Sequence, residues 1–281
     1  MADADTLDRI KARDAALLTD TVREAGRLAL SLFRTELKNW TKGASSPVSE
    51  ADIAVNDLVE KRLRSATPDY GWLSEESADD ETRLGKPLVW IVDPIDGTRA
   101  YLAGREDWCV SVALVADATP VLAAVFAPVS DEFFFAISGQ GAMRNDRPVY
   151  ATAGTDMDFS RMAGPKPLVQ RLSPSSDEIT LYPRIGSLAL RLCRVAEGSL
   201  DAAFAGGQSR DWDLAAANLI VHEANGRMTA LSGMRLSIIA GRWCTGCWWQ
   251  RDTIVMHALS SIFETVRCPD HVKIRATNPS R

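Results

Sequence analysis

The segment Asp93-Pro94-Ile95-Asp96-Gly97-Thr98 ends the apolar run Trp90-Ile91-Val92 on two carboxylates three positions apart, followed by a glycine and a hydroxyl. Carboxylate oxygens at that spacing can hold a hard divalent cation, and the backbone N–H and hydroxyl beside them can meet phosphate oxygens. The chemistry such a set suits is metal-assisted hydrolysis of a phosphate ester. Asp-Pro and Asp-Gly are also ordinary turn dipeptides, because proline presets φ and glycine accepts a positive one. From this stretch alone, a well-built strand exit and a metal site weigh equally.

Other acids stand at element ends. Glu75-Glu76 follow the strand-like run Tyr70–Leu73, Asp52 opens a helical pattern, and Asp211 and Asp213 flank Trp212 at another helix start, with Gly206-Gly207-Gln208 ahead of them. Each has a plain structural reading. Ser49 and Asp52 have capping-box spacing, first-turn acids complement the helix dipole, and paired glutamates after a strand suit a solvated loop. Two carboxylates about 4 Å apart repel by about 4 kcal/mol at an effective dielectric near 20. Four gathered by folding therefore protonate or separate unless cations join them.

The elements that must position these residues follow from periodicity. Leu18, Val22, Ala25, Ala29, Leu32 and Phe33 give a long amphipathic helix between Asp5 and Leu37, with room for one break. A loop is expected from Asn39 to Pro47, then a helix with Ala51, Val55, Leu58, Val59 and Leu63 on one face. Strands are expected at Tyr70–Leu73, Leu88–Val92, Trp108–Ala116, Val121–Phe126 and Phe133–Ile137. Gly186-Ser187 opens a further helix, Asp201–Phe204 reads as a strand, and Trp212–Asn225 is helical. The order implies an α+β or layered α/β fold, with a join between two halves in the Ser/Pro/Gly-rich segment Thr155–Ser176.

Composition narrows the class. The 281 residues, 46% hydrophobic and 25% charged, suit a large core, and a net charge of −5 argues against a nucleic-acid polymer as partner. The acidic start, Met1-Ala2-Asp3-Ala4-Asp5, lacks secretory-signal features, and no apolar run suits a membrane span, so a cytoplasmic protein is expected. Five scattered cysteines fit reduced thiols; Cys244-Thr245-Gly246-Cys247 has no second pair to complete a zinc site. The tail 236–281, with Trp243, Trp248, Trp249 and a basic finish, breaks the earlier patterning and reads as a segment not selected with the rest, as a shifted reading frame produces.

In content and order, Leu73-Ser74-Glu75-Glu76-Ser77, Trp90 to Thr98, and Trp212-Asp213-Leu214-Ala215-Ala216 with Glu223-Ala224-Asn225-Gly226 resemble the inositol monophosphatase family, over about residues 10 to 235. The resemblance implies an αβαβα sandwich of the inositol monophosphatase and fructose-1,6-bisphosphatase type. Its N-terminal half, 1–154, would carry most metal ligands, and its C-terminal half, 155–281, Asp213 and the substrate-specificity residues. Two or three Mg²⁺ ions are implied: one on Glu75, Asp93 and the Ile95 carbonyl, a second on Asp93, Asp96 and Asp213, and a looser third near Glu75 through water. Gly97 and Thr98 N–H groups take the phosphate. Asp52, Glu75 and Thr98 are the implied catalytic residues, Thr98 orienting and helping to deprotonate water through Asp52 with Glu75 assisting. Lithium sensitivity and a homodimer are further implications.

Family members acting on myo-inositol phosphates place a carboxylate several residues before the Trp-Asp pair, where this chain has Ala205-Gly206-Gly207-Gln208. That stretch, with Asp211-Trp212-Asp213, Asp79-Asp80 and Arg99, looks more like the bacterial 3′(2′),5′-bisphosphate nucleotidase branch. The small-molecule substrate is then 3′-phosphoadenosine 5′-phosphate, with Arg184, Gly186, Ser187 and Gln208 at its second phosphate or ribose. The alternatives are inositol 1-phosphate or a related sugar phosphate such as fructose 1,6-bisphosphate. A weakly active metal-binding interaction protein is the alternative of another class, if the tail displaces the closing elements.

Overall fold

The computed structural model describes residues 4–43, 46–153, 159–165, 182–206, 209–230 and 254–257. Helix α1 (Ala4–Leu32) runs unbroken for 29 residues, and α2 (Glu50–Ala66) packs beside it. Leu18, Val22, Ala25 and Ala29 of α1 recur on one face and are fully buried. Gly26, inside that helix, lets the Phe126 ring approach: a Cβ there would lie 2.2 Å from Phe126 Cδ1. The segment expected to be a loop is instead an antiparallel hairpin, β1 (Asn39–Lys42) and β2 (Ser46–Ser49). Asn39, Trp40 and Thr41 of β1 are exposed and burial in β2 is confined to its end, Val48 and Ser49, so no apolar alternation marks it.

Seven strands then stand side by side in sequence order: β3 (Gly71–Ser74), β4 (Leu88–Asp96), β5 (Cys109–Ala116), β6 (Thr119–Ala127), β7 (Glu132–Ile137), β8 (Ala142–Arg144) and β9 (Arg147–Val149). The β3–β4 pair is parallel and the others are antiparallel. Side-chain alternation divides the strands between two cores. On β4, Leu88, Trp90 and Val92 join the core under α1 and α2, whereas Val89 and Ile91 join the core on the other face. Asp93 follows the second set, so β4 delivers its carboxylate to the face opposite α1 and α2.

That second face is covered by α4 (Leu188–Ala196) and α5 (Asp211–Glu223), which follow a short α3 (Thr98–Leu102) at the end of β4. Residues Leu214 through Val221 of α5 are all buried, as a helix between two sheets requires. Beyond the helices lies a second sheet, in the order β10 (Met162–Ala163), β11 (Ala202–Ala205), β13 (Ile254–His257), β12 (Arg227–Ala230). Ala203, Ala205 and Met228 of that sheet share one core with α4, α5 and the seven-stranded sheet.

The described layers are thus α, β, α, β, in the arrangement expected of the fold. The last helical layer of the expected αβαβα sandwich falls outside the described residues, as do Gln208, Cys244, Cys247 and all of the tail except Ile254–His257. Those four residues form β13, inserted between β11 and β12. Among the described residues, no helix is long and apolar enough to cross a membrane.

Candidate active site

Residues three apart on a regular strand point to opposite faces, yet Asp93 and Asp96 converge. The cause is a bulge. Asp93 pairs with Ser111 and Asp96 with Cys109, three residues on β4 against two on β5. The extra residue restores the phase and brings both carboxylates to one side. Asp213, in the first turn of α5, approaches from the covering layer, and oxygens of Asp93, Asp96 and Asp213 lie within 4.8 Å of one another. Arg210 N–H donates to Asp213 Oδ2 at 2.5 Å, so this acid also caps its helix.

These acids line a cleft of about 370 Å³ with Glu75, Ile95, Gly97, Thr98, Arg99, Arg105, Arg184 and Gly186. Glu75 follows β3, the parallel neighbour of β4, and its N–H donates to the Val92 carbonyl at 3.2 Å. Lys42 Nζ donates to the Glu75 carbonyl at 3.0 Å and pairs with the Glu76 carboxylate. Ser46 Oγ lies 3.4 Å from Glu75 Oε1. Asp52 caps its helix and also reaches Thr98: its Oδ2 accepts from Ser49 N–H and Oγ at 2.8 and 2.6 Å, and its Oδ1 accepts from Thr98 Oγ1 at 3.1 Å. The Thr98 hydroxyl also reaches the Ile95 carbonyl, at 3.0 Å.

Of the four expected substrate residues, Arg184 is exposed at the cleft mouth and Gly186 lines its wall. Ser187 lies elsewhere. It is fully buried, and its hydroxyl donates to Asp96 Oδ2 at 2.5 Å, alongside the Ala189 N–H at 2.5 Å. The segment closes tightly on the start of α3: a Cβ on Gly97, whose φ is +96°, would lie 3.0 Å from Ser187 N. Asp107, Arg105, Lys42 and Ser46 were not singled out from sequence. Gly186 N–H donates to the Asp107 carboxylate, and Arg105 Nη2 donates to the Arg184 carbonyl at 3.2 Å. These are loop-to-loop contacts with no local spacing to announce them.

Glu223, in the last family-like motif, works at the far end of α5. It accepts from Gly139 and Gly141 N–H groups at 2.8 Å each. Asn225 at φ +66° and the Gly226 N–H on the Val221 carbonyl at 2.8 Å then stop the helix. His222 is exposed on the same helix.

The protein's own charges oppose one another in the cleft. Burial, then Asp213, Glu76 and Asp96, push Glu75 up to about 8. Burial and the facing Glu75, Asp96 and Asp213 hold Asp93 well above the usual carboxylate range. Burial also raises Asp96 against the hydrogen bonds from Ser187 and Ala189, and raises Asp52 against those from Ser49. Asp93 Oδ1 is buried with no hydrogen-bond partner among the described residues. A lone buried acceptor among converging carboxylates, all oxygen donors, fits a hard divalent cation.

A layered fold with a carboxylate-lined cleft at a strand end fits a metal-dependent phosphatase. The chain matches the inositol monophosphatase family over residues 12–263, and it belongs to that family of phosphomonoester hydrolases. It is 34% identical over 232 residues to the histidinol-phosphatase of Mycobacterium tuberculosis, which spans 78% of this chain and 87% of the relative. It is 30% identical over 235 residues to inositol monophosphatase 1 of Solanum lycopersicum, spanning 79% and 86%. In structure it is similar to the extragenic suppressor protein suhB of Bartonella henselae, with a TM-score of 0.76, 26% identity, and 90% of this chain and 96% of that one covered. The family match runs into the tail and includes β13.

Proposed function

We propose that this chain hydrolyses a small phosphate monoester with Mg²⁺, and that 3′-phosphoadenosine 5′-phosphate is its substrate. The convergence of Asp93, Asp96 and Asp213 beside the unpartnered Asp93 oxygen carries the first part. In this reading Glu75, Asp93 and the Ile95 carbonyl hold one Mg²⁺, and Asp93, Asp96 and Asp213 hold a second. Bound there, the ions supply Lewis acidity, which acidifies water and offsets charge on the phosphate and the departing alkoxide.

The chain's own groups do the rest. Gly97 and Thr98 N–H groups, at the start of α3, bind phosphate oxygens. The Thr98 hydroxyl, between Asp52 and the Ile95 carbonyl, orients the attacking water and relays its proton toward Asp52. Burial raises Asp52, which equips it to keep that proton, and Glu75 assists from across the cleft. Water attacks phosphorus directly, the bond from phosphorus to the ester oxygen breaks, and the departing alkoxide takes a proton from a neighbouring water, so no phosphoenzyme forms.

The substrate reading rests on the cleft mouth. Arg99, Arg105 and Arg184 line it; Arg105 is paired with the Asp107 carboxylate, and the exposed Arg184 is the group this reading assigns to a second phosphate. A panel assayed with Mg²⁺ tests both parts: 3′-phosphoadenosine 5′-phosphate, inositol 1-phosphate, histidinol phosphate and fructose 1,6-bisphosphate. The highest kcat/KM is expected on the nucleotide. Equal or better turnover of another member overturns the substrate, and no phosphate release from any overturns the whole reading.

A further inference from the structure

Three groups meet the Ser187 hydroxyl oxygen: Asp96 Oδ2 at 2.5 Å, Leu190 N–H at 2.9 Å and Cys109 Sγ at 3.2 Å. A hydroxyl has one proton and two lone pairs. An ionised Asp96, the form that coordinates metal, only accepts, so it takes the proton. The Leu190 N–H only donates, so it takes one lone pair. The remaining contact therefore has Cys109 S–H donating to the second lone pair. Cys109 is also the cross-strand partner of Asp96, and Cys109 and Ser187 are both fully buried, where no water competes.

We propose that Ser187 is a positioning residue for the cleft carboxylates and that Cys109 fixes the direction of its hydroxyl; the proposal rests on the reading of Asp96 as a Mg²⁺ ligand. Ser187 Oγ and Ala189 N–H both load Asp96 Oδ2, and a backbone hydrogen bond from Leu188 joins them, so the start of α4 holds the carboxylate that offers an oxygen to the cluster with Asp93 and Asp213. Partners behind a ligating carboxylate set its orientation and its affinity for metal. The thiol acts one step further back. It keeps the hydroxyl proton from turning away from Asp96.

Calorimetric titration of Mg²⁺ alone into chelator-dialysed protein tests this, with circular dichroism to check the fold. Ser187→Ala is expected to weaken Mg²⁺ binding by about 10-fold, raising the KM for Mg²⁺ while kcat at saturating Mg²⁺ changes little. Ser187→Thr, which keeps the hydroxyl, restores affinity. Cys109→Ser keeps a donor and stays near wild type, whereas Cys109→Ala binds a few-fold more weakly. Asp96→Asn separates the two layers of argument. If it loses Mg²⁺ while folded Ser187→Ala binds as wild type does, the positioning role is wrong. If Asp96→Asn itself binds as wild type does, the underlying metal reading fails instead. Should Ser187→Ala not fold, equal affinities for Cys109→Ala, Cys109→Ser and wild type overturn the proposal.

Discussion

On the cleft floor, Asp93 and Asp96 are buried, phased by the bulge in β4, with Asp96 held by hydrogen bonds from α4. At the mouth, Arg99, Arg105 and Arg184 are exposed and lie on α3 or on the segments between elements. The floor's geometry is set by sheet register and helix ends, which cannot shift without breaking the core. The mouth can change residue by residue at little cost to folding. The kind of reaction is therefore written into the scaffold, and the choice of ester into the rim.

The sharpest test of that division is Asp96→Asn, which removes a shared negative ligand from the floor. Turnover is expected to fall by about 10³-fold or more, with the fold intact by circular dichroism. Near-wild-type kcat would erase the distinction. Thr98→Ala is expected to cost about 10²-fold in kcat while Mg²⁺ binding by calorimetry is retained. Arg184→Ala, at the rim, is expected to raise KM for a bisphosphorylated ester by about 10-fold and to leave a simple monoester nearly unaffected. An equal loss on both esters would move Arg184 into the shared machinery.

The smallest effect is on stability. Glu75 sits at about 8 in the folded protein against an ordinary 4.5. Between those values the folded state binds more protons than the unfolded state, so unfolding free energy falls as pH rises. Chelator-treated protein should therefore melt progressively lower from about pH 4.5 to about pH 8. Mg²⁺ added at pH 7 should release protons and remove that slope, measured by thermal melts and by titration in buffers of different ionisation enthalpy.

Strands β3 to β7 were legible because four or more residues of apolar or alternating pattern lie between turn residues. β8, β9 and β10 span three residues or fewer, too short for any period to register. The acids were legible as types at element ends. Their convergence was not, because it depends on one extra residue in β4 relative to β5. Ser187 was visible as a helix start, but its inward direction is fixed by Asp96, 91 positions away. Lys42 and Ser46 escaped notice because a solvated hairpin carries no hydrophobic rhythm.

Helix α5 is moored twice, by Asp213 on the Arg210 N–H at one end and by Glu223 on the Gly139–Gly141 turn at the other. A single residue inserted between these anchorages would rotate one end against the other by about 100°. Lineages that share this anchoring are therefore expected to vary freely in the loops on either side of α5 while keeping its length constant.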